Sequence, residues 1–108
     1  MMRGSLVTIA IQGDFGKPRP ALIIQAHQFS EHTSVTVLPI TSTLIDAPLL
    51  RITIQPNDKN GLQKPSQVMI DKIMTVRCEK MSPAFGFIPV DKMVEIERCL
   101  AVFLGIVK

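Results

Sequence analysis

The chain has 108 residues, 46% of them hydrophobic, with a mean hydropathy of +0.29, which excludes a disordered polymer and fits one compact domain, residues 1–108, around one core. Twelve Lys and Arg against nine Asp and Glu leave a net charge of +3, a balance that permits a polyanionic partner without requiring one. No apolar run approaches the roughly 20 residues of a membrane span, Met1 to Ser5 lack the apolar h-region and small-residue cleavage site expected of a secretory leader, and two cysteines with two histidines are too few for a disulfide framework or an evident metal cluster.

A cytoplasmic address with no membrane, metal or cofactor is therefore expected. The absence of Trp and Tyr, with only five Phe, argues against rows of stacked aromatics on single-stranded nucleic acid. If nucleic acid is the partner, contacts are expected mainly at phosphates, with hydrogen bonds to bases.

Taken in order, Leu6-Val7-Thr8-Ile9-Ala10-Ile11 is β-branched and apolar and reads as a first strand. Gly13 to Pro18 is a turn-rich loop. Ala21 to Ala26 is almost entirely apolar, as expected of a strand buried on both faces. Before it stands Pro18-Arg19-Pro20. Proline fixes its own φ and restrains its predecessor, so Arg19 is expected at a strand mouth in a narrow backbone range.

His27 to His32 reads as a polar connection, one helical turn at most, and Ser34 to Ile40 alternates as a third strand. Pro39 places that strand's end at an edge or bulge. Leu50-Arg51-Ile52-Thr53-Ile54 alternates again, with Arg51 and Thr53 outward. Pro56 to Gly61 is the strongest turn signal. Ser66 to Ile70 and Ile73 to Arg77 read as short strands around Asp71-Lys72.

Pro89-Val90-Asp91 opens a helix with Asp91 as its N-cap. Met93, Ile96, Leu100 and Phe103 form one apolar stripe on that helix, and Gly105 ends it. Five or six short strands and one helix, without a βαβ rhythm, predict a mainly β fold: a bent antiparallel sheet or small, partly open barrel with the helix against it.

Polar groups interrupt the apolar segments at strand ends: Lys17 with Arg19, Thr41-Ser42-Thr43, and Ser66-Gln67 with Asp71-Lys72. Strand ends converge on one rim of a small barrel. A guanidinium presents a planar fork of donors to phosphate and stays charged, and hydroxyls add further donors, so these groups make a cradle for a phosphodiester. Each has a plainer reading beside it. Arg19 is then a solvated loop residue, Thr41-Ser42-Thr43 a turn or cap, and Asp71-Lys72 a hairpin turn with a surface ion pair worth about 0–1 kcal/mol. His27 and His32 carry the imidazole that most often serves as general base or acid, but nothing in the sequence ties either to Arg19. Cys78 and Cys99 read as structural. No P-loop, GxGxxG, HExxH or GxSxG motif occurs.

The chain resembles the PemK/MazF family of toxin endoribonucleases. The matching pieces occur in order: Arg3-Gly4 before a strand, Lys17-Pro18-Arg19-Pro20-Ala21-Leu22-Ile23-Ile24, and Val35 to Ser42 ending in Pro-Ile-Thr-Ser. Gly61-Leu62, then Ser66-Gln67-Val68-Met69-Ile70-Asp71-Lys72, and a closing helix from Val94 to Leu104 with Gly105 complete the pattern. Met69 stands where some relatives carry an arginine, and the loop 13–17 is shorter than usual.

The resemblance implies an SH3-like, CcdB-like β-barrel with a C-terminal helix that works as a homodimer. It implies metal-independent, sequence-specific cleavage of single-stranded RNA and neutralisation by a cognate antitoxin polypeptide. It assigns catalysis to Arg19 and Thr41. Lys17, Ser42, Thr43, Ser66, Gln67, Asp71 and Lys72 are expected to bind flanking RNA. The expected chemistry is attack of the 2′-hydroxyl on phosphorus, leaving a cyclic phosphate and a 5′-hydroxyl. Two alternatives share the barrel: a gyrase-directed toxin that cuts no RNA, and a passive nucleic-acid-binding module.

Overall fold

The computed structural model describes residues 2–10 and 17–107. Seven strands occur among them: β1 (Ser5–Ala10), β2 (Pro18–Ile23), β3 (Ser34–Thr41), β4 (Arg51–Ile54), β5 (Ser66–Met69), β6 (Met74–Arg77) and β7 (Gly86–Phe87). One helix, α1 (Val90–Phe103), follows, and short 3-10 turns cover His27–Phe29, Ile70–Lys72 and Cys78–Lys80. Ile11 and the loop glycines Gly13 and Gly16 lie outside the described residues.

The sheet is antiparallel, in the order β4-β5-β3-β2-β1-β7, with β6 also paired to β3. Strong period-two alternation separates two apolar layers. Leu6, Leu22 and Leu38 stand in register across β1, β2 and β3 and join Ile40, Ile52, Ile54, Val68 and Ile70 on one face, which Met93, Ile96 and Leu100 of α1 cover. Val7, Ile9, Ala21, Ile23, Val35 and Val37 form a second cluster on the other face, closed by Met74, Val76, Cys78 and Met81. After β6 the chain swings back to β1, where Met81 bridges Ile9 and Ser82 N–H donates to Thr8 O at 2.9 Å. The result is a curled half-barrel, as expected, with its central strand buried on both sides.

Strand β2 begins at Pro18 rather than Ala21, and ends at Ile23. The reason is directional. Backbone groups alternate sides along a strand: Ile23 O accepts from Gly4, on the β1 side, and Ile24 N–H donates to Thr36 O, on the β3 side. Even-numbered β2 residues thus face β3, so the missing amide hydrogens of Pro18 and Pro20 fall where β2 has no registered partner. Pairing with β1 runs on through Pro20↔Thr8, Arg19↔Ile9 and Pro18↔Ala10, while pairing with β3 stops at Ala21↔Pro39. Pro39 is equally well placed, since β3 pairs with β6 up to Val37 and with β5 from Ile40. It sits in the gap between two partners, not at the strand's end.

Three further expectations change. Asp71-Lys72 is not a hairpin turn, because β5 and β6 do not pair with each other but lie end to end along β3. The N-cap of α1 is Pro89, with no side-chain cap bond, and Asp91 lies in the first turn, where its charge faces the positive end of the helix dipole. Phe103 is 46% exposed and stays out of the core, lining instead a hollow between α1 and Ala47–Leu50. Gly105 does end the helix. With φ +75° its N–H donates to Val102 O and that of Ile106 to Ala101 O, at 3.1 and 2.8 Å, the paired bonds of a Schellman cap.

Candidate active site

Where the β2–β3 ladder stops, the two strands part and leave a cleft of about 460 Å³. Continuing the register Ala21↔Pro39 by two residues sets Arg19 opposite Thr41, and both line this cleft with Pro20, Pro39, Ser42, Thr43, Ser66 and Met69. A guanidinium and a threonine hydroxyl proposed from sequence therefore share one concavity. Arg19 is exposed and Thr41 half-buried.

The Thr41 hydroxyl accepts the Thr43 backbone N–H at 3.1 Å. That bond fixes the hydroxyl oxygen and leaves its own proton to donate outward. Ser66 is buried and donates its hydroxyl to Lys64 O at 2.9 Å, so it shapes the floor. Lys17 is exposed just before β2 and does not line the cleft. Met69 does, and Arg19 is the one guanidinium among the described residues that form this wall.

Gln67 is 5% exposed and turns away from any ligand. Its Oε1 accepts Ile45 N–H at 3.1 Å, and its Nε2 donates to Ile45 O at 3.0 Å and to Thr53 Oγ1 at 3.2 Å. This two-point clasp imitates a strand pairing and pins the segment that follows Thr41-Ser42-Thr43.

Asp71 lies outside the cleft, hydrogen-bonded and ion-paired to Arg51, with Lys72 at 3.8 Å. Burial works to raise the Asp71 carboxyl, but the hydrogen bond and charge of Arg51, aided by a backbone bond and Lys72, hold it below its ordinary 3.8. The pair ties the 3-10 turn after β5 to β4. His27 and His32 are exposed, line neither this cleft nor its neighbour, and His32 stacks edge-on with Phe29 at 6.0 Å.

Two other surfaces adjoin. A hollow of about 690 Å³ shares Pro20, Ser42 and Ser66 with the cleft and runs on past Lys64 to Phe85. An apolar hollow of about 410 Å³ lies between Ala47–Leu50 and Cys99, Val102 and Phe103 of α1, beside the exposed Leu104, Ile106 and Val107. Burial, then the charge of Glu95, pushes the Cys99 thiol up, which makes it a poor nucleophile. Among the described residues no group of three or more His, Cys, Asp or Glu gathers as metal ligands would, and no helix is long and apolar enough to cross a membrane.

Sequence reasoning missed the clasp of Gln67, the ion pair of Asp71 with Arg51, and Phe85. Alternation did place Arg51 and Thr53 off the apolar face, on the side where Asp71 and Gln67 meet them.

Residues 2–104 match the family model described as the PemK-like, MazF-like toxin of type II toxin–antitoxin systems. A protein of Mycolicibacterium smegmatis described as a probable endoribonuclease MazF is 47% identical over 107 residues, covering 98% of both chains. Among solved structures, a mycobacterial endoribonuclease in complex with its cognate antitoxin superposes with a TM-score of 0.83 at 20% identity, over 100% of this chain and 98% of that one. The Mycobacterium tuberculosis toxin MazF-mt6 superposes at 0.80 and 22% identity, over 94% and 96% of the two chains. A MazE–MazF structure from Deinococcus radiodurans superposes at 0.77 and 23%, over 97% and 95%.

Proposed function

The chain belongs to the PemK-like, MazF-like toxin family and is an endoribonuclease toxin of a toxin–antitoxin system; from that premise we propose that it cuts single-stranded RNA at the Arg19–Thr41 cleft, without a metal. The observation that carries this reading is the juxtaposition of Arg19 with Thr41, Ser42 and Thr43 in one concavity.

The chemistry follows from the donors present. The ribose 2′-oxygen forms a bond to the adjacent phosphorus as its proton leaves to solvent. The bond from phosphorus to the 5′-oxygen breaks, and that oxygen takes up a proton. The products are a cyclic phosphate and a 5′-hydroxyl. Negative charge builds on the non-bridging oxygens in between, and Arg19 faces it as a fixed donor. The Thr41 proton, unclaimed by the Thr43 bond, orients a phosphate oxygen, and the hydroxyls of Ser42 and Thr43 bind beside it. A duplex holds its 2′-oxygen out of line with the departing oxygen, so the substrate is single-stranded.

The restraint seen in Pro18-Arg19-Pro20 has a catalytic use here. Arg19 is held by strand pairing to Ile9 and by two fixed φ angles, so little reorganisation is needed as charge develops.

The partners belong to the same reading. The apolar surface of Ala47–Leu50 with Cys99, Val102 and Phe103 is the kind of contiguous patch that marks an interface, and it builds a homodimer. A cognate antitoxin, acidic and folding as it binds, covers the RNA-binding face.

The test is incubation of the purified protein with a long RNA in EDTA, followed by mapping of the ends. Discrete cuts with 5′-hydroxyl ends are expected, and Arg19→Ala lowers kcat by about 100- to 1,000-fold with an unchanged melting curve. Intact RNA, or an Arg19→Ala protein as active as the parent, refutes the assignment.

A further inference from the structure

The turn between β4 and β5 is built more firmly than a connection requires. Asn60 is 1% exposed. Its Oδ1 accepts the backbone amides of Asn57 and Leu62, its Nδ2 donates to Gln55 O, and Asn57 Oδ1 accepts from Lys59 and Asn60, all at 2.8–3.1 Å. The ring of Phe85 rests on this turn. Gly61 has φ +65°, and a Cβ there would lie 2.9 Å from Phe85 O and 3.0 Å from its Cδ1. Only glycine seats the ring. Phe85 N–H is bound to Leu6 O at 2.9 Å and Phe87 N–H to Lys59 O at 3.1 Å, so the aromatic is anchored from both sides.

Despite that anchoring, Phe85 is 39% exposed. It lines the hollow of about 690 Å³ that opens into the Arg19–Thr41 cleft across Pro20, Ser42 and Ser66, with Lys64 on the same wall. The part of the ring that the turn leaves uncovered costs apolar exposure in a groove where it packs on nothing of this chain's own core. Beside a lysine, in a groove continuous with a phosphate site, it has the makings of a stacking platform.

We propose that this hollow is a second nucleotide subsite. The base of a nucleotide flanking the scissile phosphate stacks on Phe85, and Lys64 binds the adjoining phosphate. The inference rests on the nuclease reading and extends it, since it sets how much RNA beyond the cleaved step is gripped.

The test compares a minimal single-stranded oligonucleotide holding the cleaved step with one lengthened at both ends. The parent protein is expected to favour the longer one in kcat/KM by about 5- to 150-fold, the scale of one base stacked on an aromatic ring. Phe85→Ala and Phe85→Leu bring that ratio close to one, and Phe85→Tyr restores it. Lys64→Ala lowers the ratio in part and flattens its salt dependence.

Binding of the same pair with the 2′-oxygen methylated at the cleaved step gives a readout independent of catalysis. A parent that binds both but cuts neither defeats the nuclease reading while binding still decides this one. A parent without length preference, or a Phe85→Ala protein that keeps it, overturns the proposal.

Discussion

Replacing Gln67 by alanine withdraws three hydrogen bonds at once: two to the Ile45 backbone and one to Thr53 Oγ1. Neutral bonds of this kind contribute about 0.5–1.5 kcal/mol each, and an orphaned buried group costs more. Ile45 is 50% exposed, so water re-satisfies its amide and carbonyl once the clasp is gone. Thr53 is half-buried and recovers less. The expected loss is therefore about 1–3 kcal/mol, at the lower end of three additive bonds.

For a domain of this size that lowers the urea midpoint by about 1 M. The same change loosens the segment carrying Ser42 and Thr43, so kcat for RNA cleavage falls along with stability. Gln67→Glu separates shape from donation: its carboxylate still accepts the Ile45 N–H, but it has nothing to donate to Ile45 O. It is expected to lie between alanine and the parent at low pH, where the carboxyl is protonated, and near alanine at neutral pH. A Gln67→Ala protein with the parent's midpoint and the parent's cleavage rate would show that the loop is held in place by something else.

Two further outcomes follow from the same geometry. Because Asp71 is held below its ordinary 3.8 in the folded chain, the unfolded chain binds the proton first; the stabilisation is fully present above 3.8 and lost as pH falls through the lower folded value. Asp71→Asn should flatten the acid limb of a plot of melting temperature against pH, and an acid limb identical to the parent's would remove Arg51–Asp71 as its cause. Phe103→Glu puts a charge into the apolar surface between α1 and Ala47–Leu50, and should halve the mass measured by light scattering with an unchanged circular dichroism spectrum. A parent that is already monomeric, or a variant of undiminished mass, refutes a homodimer built on that face.

Most of the sheet was legible because β-branched runs alternate with the period of the pleat: Ile52 and Ile54 turned inward and Arg51 and Thr53 outward, as read. Arg19 and Thr41 were named together from their place at strand ends and from the family resemblance, while the register that sets one opposite the other was not legible. What escaped depends on partners distant in sequence. β7 is two residues long and exists only because β1 offers it an edge. Prolines 18 and 20 looked like a loop because nothing local says which side of β2 lacks a neighbour. The stripe on α1 overreached at Phe103 because periodicity reports a face and not which of its residues meet the core. Gln67 read as a ligand for RNA, since a buried amide and an exposed one are the same letter. Asp71-Lys72 read as an RNA contact or, more plainly, a hairpin turn; the turn fails because β5 and β6 share one long neighbour in β3.

The gap between β2 and β3 opens where Pro20, on the side of the strand that faces β3, has no amide hydrogen to carry the ladder on, so main chain frames it on both sides. Substitutions at Ser42, Thr43 or Met69 are then expected to change what the walls offer a ligand while the strands on either side keep their register.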